Sequence, residues 1–117
     1  EKPLDPAIET IAKGSYQNAK GYDGGIRGGG YIVLALEAAL WAFWSTHSFE
    51  EGALAAVNLG DDADTTATIY GQLAGAFYTK DRIPSRWIDQ RYAKNFILNV
   101  SKWLYYEGKQ KCLSSPE

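Results

Sequence analysis

The sequence predicts an all-α fold, a helical bundle, on three observations. Apolar residues recur at helical spacing in successive stretches. Helix-start signals precede several of these stretches, namely Asp5 with Pro6 and Ser48 with Glu51. No segment alternates apolar and polar residues with a period of two, and neither a hairpin signal nor an internal repeat is visible.

The first helix is expected at about Pro6 to Lys13. Asp5 can accept bonds from the N–H groups left open at a helix start, Pro6 needs no N–H at the first helical position, and Gly14 provides a stop. Ile8, Ile11 and Ala12 form its apolar stripe. Ser15 to Gly30 then reads as a loop, dominated by Gly21, Gly24, Gly25, Gly28, Gly29 and Gly30. Long loops inside compact domains are often functional, and glycine lets a ligand approach the backbone. A phosphate cradle and a flexible connection are both open at this point. The glycine spacing matches neither the Walker pattern nor a dinucleotide fingerprint, so connection is the simpler reading.

A second helix is expected from about Tyr31 to Ser45. Val33, Leu36, Leu40, Phe43 and Trp44 recur at helical spacing, and Ala38, Ala39 and Ala42 raise propensity. Apolar residues surround it, which predicts a central position. Ser48 and Glu51 announce a third helix over Phe49 to Asn58, and His47, in the turn before it, reads as a solvated or capping residue rather than a ligand. An acidic turn, Leu59 to Ala63, leads to a fourth helix from about Asp64 to Tyr78. Ala67, Gly71 and Gly75 fall four apart on it. Each glycine costs roughly 0.5–1 kcal/mol relative to alanine, so tight packing is expected along that stripe.

Thr79 to Ser85 is a connector containing Pro84, and a last helix is expected over about Arg86 to Glu107. Trp87, Ile88, Tyr92, Phe96, Val100, Trp103 and Leu104 share one broad face of it and read as core. Gly108 is expected to end this helix, leaving 109–117 as a polar tail. The whole of 1–117 reads as a single all-helical segment.

Composition narrows the function. A chain of 117 residues suits one domain. A net charge of −2, with Lys and Arg scattered, argues against nucleic acid or an anionic membrane as partner. The richest apolar run, Tyr31 to Trp44, is interrupted by Glu37 and too short to span a bilayer, and no signal segment is present. The lone Cys112 can form no internal disulfide. A soluble, cytoplasmic protein is the expectation, and the absence of methionine predicts a fragment or a processed product.

The most informative residues are Asp62, Asp64 and Thr65. Two carboxylates and a hydroxyl from one tight turn are hard oxygen donors, suited to Mg²⁺, Mn²⁺ or Ca²⁺ rather than zinc or copper. With Asp61, three acids fall within four residues, and their repulsion calls for a cation or an arginine. A helix N-terminus offers only about 0.3–1 kcal/mol per charge. Simple capping by Asp64 is the alternative, and these residues alone leave both readings open. A calcium loop starting at Asp62 is excluded, because its glycine position holds Ala67 and its terminal glutamate position holds Leu73.

Three motifs then carry a resemblance: Gly-Gly-Gly-Tyr-Ile-Val at Gly28 to Val33, Leu-Glu-Ala-Ala-Leu-Trp at Leu36 to Trp41, and the run from Ala56 through Ala76. That run includes Val57-Asn58-Leu59-Gly60-Asp61-Asp62-Ala63-Asp64-Thr65-Thr66 and Gly71-Gln72-Leu73-Ala74-Gly75. Together with Ile83, Pro84 and Trp87 they resemble the C-terminal half of the ADP-ribosylglycohydrolase family.

The resemblance implies an all-helical hydrolase with a binuclear Mg²⁺ or Mn²⁺ site, removing ADP-ribose from modified proteins or related conjugates. Asp62, Asp64 and Thr65 match the family's C-terminal metal ligands, which favours metal over capping. Gly28, Gly29, Gly30 and Tyr31 match a loop lining the ADP-ribose cleft. Two positions depart from the pattern: Leu34 stands where many relatives carry a polar residue, and Asp61 replaces the second glycine of the commoner Gly-Gly-Asp-Ala-Asp-Thr form.

The family's N-terminal Thr/Ser-Asp-Asp motif and its upstream acidic residue do not occur in these residues. A pair of divalent cations carries twice the charge that Asp62 and Asp64 offset, so another segment or chain is expected to complete the site. The general base has no candidate here. A fragment inactive alone and prone to self-association is therefore expected, with a non-catalytic ADP-ribose- or metal-binding module as the second reading.

Overall fold

A computed structural model describes residues 2–115, which form two units, one ending at Ile83 and the other beginning at Pro84. Glu1 and residues 116–117, the ends of the predicted segment and of the predicted tail, lie outside the described residues. Every regular element among the described residues is helical, as the sequence predicts.

In the first unit, α1 (Pro6–Ala12) precedes a 3₁₀ turn at Gly21–Gly24, followed by α2 (Ile32–Ser45), α3 (Phe49–Asn58), α4 (Ala63–Tyr78) and a second 3₁₀ turn at Lys80–Arg82. Helices α2, α3 and α4 pack pairwise on one another, and α1 rests on α2. The predicted helix starts are built from the predicted atoms. Asp5 Oδ1 accepts the Ala7 N–H at 2.9 Å, with Pro6 at the first helical position. Ser48 Oγ accepts the Glu51 N–H at 3.2 Å, while Glu51 Oε2 accepts the N–H of His47, one residue before the cap.

The core differs from the one the sequence suggests. Helix α2 buries Ala35, Ala38, Ala39 and Ala42, whereas Val33, Leu36, Leu40 and Phe43 are half-buried and Trp44 is exposed. Two neighbouring helices press on one face of α2, and that face carries the residues short enough to let them approach. The larger side chains fill the flanks.

The close helix approach expected along Gly71 and Gly75 occurs at Gly52 instead. A Cβ placed on Gly52 would lie 2.1 Å from Tyr70 Oη, whereas one on Gly71 or Gly75 would meet no atom within 4 Å. The inward face of α4 is Thr66, Tyr70 and Ala74, one helical position away from the glycine stripe. Tyr70 is buried against α3, and its hydroxyl donates to Phe49 O at 2.9 Å, with Ser48 O at 3.3 Å. Burial pushes the Tyr70 phenol up to about 12.

In the second unit, the single helix predicted over Arg86 to Glu107 is two: α5 (Ser85–Asp89) and α6 (Lys94–Ser114). Ala93 takes a left-handed conformation, φ 51°, that interrupts the run. Helix α6 passes through Gly108 and continues to Ser114, so most of the predicted tail is helical. One interior glycine costs only about 1 kcal/mol, too little to stop a helix whose following residues sustain it. The expected core face is not core here, since Tyr92, Phe96, Val100, Trp103 and Leu104 are exposed. A helix buries its apolar face only against a second layer. Among the described residues, no helix is long and apolar enough to cross a membrane.

Candidate metal and substrate site

The glycine-rich segment is fastened down, which overturns its simpler reading as a flexible connection. Ile26 is buried in a cluster with Ala38 and Leu59, and Trp41 packs against that cluster. The Trp41 Nε1–H donates to Asn18 O at 3.0 Å. Asn18 in turn closes the loop on itself: its Nδ2 donates to Gly24 O at 2.9 Å and its Oδ1 accepts the Lys20 N–H at 3.0 Å. Arg27 lies over the Tyr22 ring, 3.7 Å from its centre, and donates to the carbonyls of Tyr22 and Ile26. The loop thus leaves the core at Ile26 and runs as Gly28, Gly29 and Gly30 toward the start of α4.

There it meets the acidic turn. Gly60 and Asp61 are both left-handed, with φ 76° and 52°, and this reversal brings Asp62 to the cap position of α4. The Asp62 N–H donates to Gly28 O at 3.0 Å, and Asp62 O accepts the Thr66 N–H at 3.2 Å. A Cβ placed on Gly30 would lie 3.6 Å from Asp62 Oδ2. Five of the seven residues singled out from the sequence, Gly28, Gly30, Asp62, Asp64 and Thr65, therefore adjoin. Gly29 faces Leu34 instead, and a Cβ there would lie 3.7 Å from Leu34 Cδ1. Tyr31 is the exposed cap residue of α2, and its side chain makes no capping bond.

The Asp62 carboxyl is not spent on capping, whereas the Asp64 carboxyl does accept backbone N–H groups of the first turn. Asp62 holds the cap position but its side chain bonds no helix N–H. Asp64, in the first turn, accepts the Thr65 N–H at 3.1 Å. A hydrogen bond shared with the Asp62 carboxyl, reinforced by the Thr65 N–H, holds the Asp64 carboxyl below the usual carboxylate range. The two acids thus converge. Arg27 is folded onto its own loop, and the ion pairs Lys13–Glu9 and Lys94–Asp89 lie elsewhere.

Two converging carboxyls, one half-buried and one exposed, beside a half-buried threonine hydroxyl form a donor set that fits a hard divalent cation. Among the described residues, no three His, Cys, Asp or Glu side chains gather as a metal site.

Sequence reasoning missed Thr66. It is fully buried, and its Oγ1 finds no hydrogen-bond partner among the described residues. A Cβ placed on Gly28 would lie 2.8 Å from that oxygen. The available signal was its helical register, one turn after Asp62 and one before Tyr70. His47 lies away from this site. It lines a cavity of about 700 Å³ with Ser48, Phe49, Tyr78 and Arg82, at the opposite end of α4.

The family model described as ADP-ribosylglycohydrolase matches residues 2–113. The ADP-ribosylarginine hydrolase Tri1 of Serratia proteamaculans is 41% identical over 109 residues, covering 93% of this chain and 29% of that protein. The Tri1 of Pseudomonas putida is 38% identical over 117 residues, covering 94% of this chain and 31% of its own length. The ADP-ribosyl-[dinitrogen reductase] glycohydrolase of Rhodospirillum rubrum is 42% identical over 60 residues, 51% of this chain and 20% of that protein. The chain therefore spans about three tenths of the length of the first two relatives.

Proposed function

The chain belongs to the ADP-ribosylglycohydrolase family, and on that premise we propose that it supplies one wall of a metal-dependent site releasing ADP-ribose from a modified protein, with ADP-ribosylated arginine as the leading substrate. The observation that carries this reading is the bond from the Asp62 N–H to Gly28 O. It ties the backbone suited to a substrate to the main chain of Asp62, whose carboxyl is suited to a metal.

In this reading Asp62 and Asp64 hold Mg²⁺ or Mn²⁺ through carboxylate oxygens, and Thr65 does so through its hydroxyl. The bound cations orient the ribose hydroxyls and water and offset charge that develops as the bond at the anomeric carbon breaks. The loop offers backbone groups to the ADP-ribose at Gly29 and Gly30, the buried Gly28 anchors it through the carbonyl that accepts the Asp62 N–H, and the exposed Tyr31 contacts the ligand at the mouth of the loop. Polypeptide outside these residues contributes the remaining ligands and the group that activates water.

The test uses the full-length protein carrying Asp62→Asn or Asp64→Asn. Mn²⁺-dependent release of ADP-ribose from ADP-ribosylated arginine should fall roughly 100-fold or more, since the charge stabilisation a metal supplies is worth several kcal/mol. Helical content by circular dichroism should not change. Turnover unaltered in both variants removes these residues from the mechanism.

A further inference from the structure

We propose that Gly28 and Thr66 form a steric joint that sets the spacing between the glycine loop and the acidic turn, which makes Gly28 a positioning residue for the metal-bearing aspartate. This deepens the reading above and rests on it.

The geometry leaves Gly28 nowhere to go. It is buried, its carbonyl accepts the Asp62 N–H at 3.0 Å, and a Cβ built on it would lie 2.8 Å from Thr66 Oγ1 and 3.5 Å from Gly60 O. Real side chains avoid the first of these distances, so one partner would have to move. Thr66 resists moving. It is fully buried, its backbone is tied into α4 by the N–H bond to Asp62 O, and it lies on the inward face with Tyr70 and Ala74. With Thr66 held in the helix, the displacement falls on the Gly28 backbone, and it would carry away the carbonyl that orients the Asp62 backbone. Thr66 therefore acts as a fixed stop beneath Gly28, and the missing side chain at Gly28 lets the loop seat against it.

This differs from a glycine kept for a left-handed turn. Gly28 is not among the positive-φ glycines, which are Gly14, Gly21, Gly25 and Gly60. Its requirement is room rather than conformation, and room can be restored from the other side of the contact. Thr66→Ala removes the colliding oxygen. Thr66→Val puts a methyl in its place and does not.

The experiment compares four full-length proteins: wild type, Gly28→Ala, Gly28→Ala with Thr66→Ala, and Gly28→Ala with Thr66→Val. Mn²⁺ affinity is read from the electron paramagnetic resonance signal of the free ion, ADP-ribose affinity by calorimetry, and unfolding by urea. Gly28→Ala should weaken Mn²⁺ binding about tenfold or more, the size expected when a group that orients a ligand is displaced. The Thr66→Ala double variant should recover most of that loss and the Thr66→Val double variant should not.

If Gly28→Ala does not fold, the same pattern is read from which double variant folds. Equal affinity in wild type and Gly28→Ala, or equal behaviour of the two double variants, overturns the joint. Failure of wild type itself to bind Mn²⁺ overturns the metal reading. The urea comparison then still decides the joint, because the Gly28–Thr66 contact needs no ligand.

Discussion

Replacing Gly52 with alanine puts the packing of α3 on α4 to a direct test. Helix propensity alone predicts a gain, about 0.5–1 kcal/mol. The structure predicts the opposite. The new Cβ would stand 2.1 Å from Tyr70 Oη and 2.4 Å from the ring carbon bearing it. Comfortable carbon contacts lie near 3.5–4.0 Å, so the ring or the helix must retreat by about 1 Å or more. Overpacking of this kind costs about 1–3 kcal/mol. Retreat of the hydroxyl also breaks its bond to Phe49 O, a further loss of about 1–3 kcal/mol when a buried group is left unpaired.

Set against the propensity gain, the net destabilisation is about 3 kcal/mol at the middle of these ranges. With a urea dependence of about 1–3 kcal/mol per molar, the unfolding midpoint should fall by roughly 1 M or more. Gly71→Ala is the matched control, because no atom lies within 4 Å of its Cβ. It should stabilise by about 0.5–1 kcal/mol. Urea titration followed by far-ultraviolet circular dichroism measures both. A Gly52→Ala protein as stable as wild type, or two variants shifted in the same direction, would refute the assignment of the close approach to Gly52.

Two further outcomes follow from the same atoms. The Tyr70 phenol is raised to about 12 in the fold, so the unfolded chain gives up that proton first. The Tyr70 contribution should be constant below about pH 10, decline as pH rises from about 10 to about 12, and vanish in Tyr70→Phe; a midpoint that shows no such difference between wild type and Tyr70→Phe across that window would contradict it. Asp61 is left-handed where glycine fits without strain. Asp61→Gly should therefore keep or raise stability by up to about 1 kcal/mol while weakening Mn²⁺ binding modestly through the lost negative charge, and a clear drop in the unfolding midpoint would count against this account.

The helices were legible because their signals are local. Asp5, Pro6, Ser48 and Glu51 act on backbone groups within a few residues, and the structure uses them as the sequence suggests. The acidic turn was legible for the same reason, since Asp62, Asp64 and Thr65 are neighbours in the chain. Break points were less so. Ala93 carries no signal for a left-handed residue, and Gly108 looks like a stop but is too weak a penalty to act as one.

The sequence by itself determined the all-helical class, most helix starts, the family and the identity of the acidic turn, because these depend on spacing and side-chain chemistry along the chain. Only the tertiary structure decided which face of each helix is buried. It chose the alanines of α2 over the leucines and Gly52 over Gly71. It also decided that the glycine loop lands on Asp62 and that Thr66 lies beneath Gly28. Gly28 and Asp62 are far apart in sequence, and no local preference of either residue encodes the other. Their meeting is set by where Ile26, Ala38, Leu59 and Trp41 pack, which is a property of the assembled core.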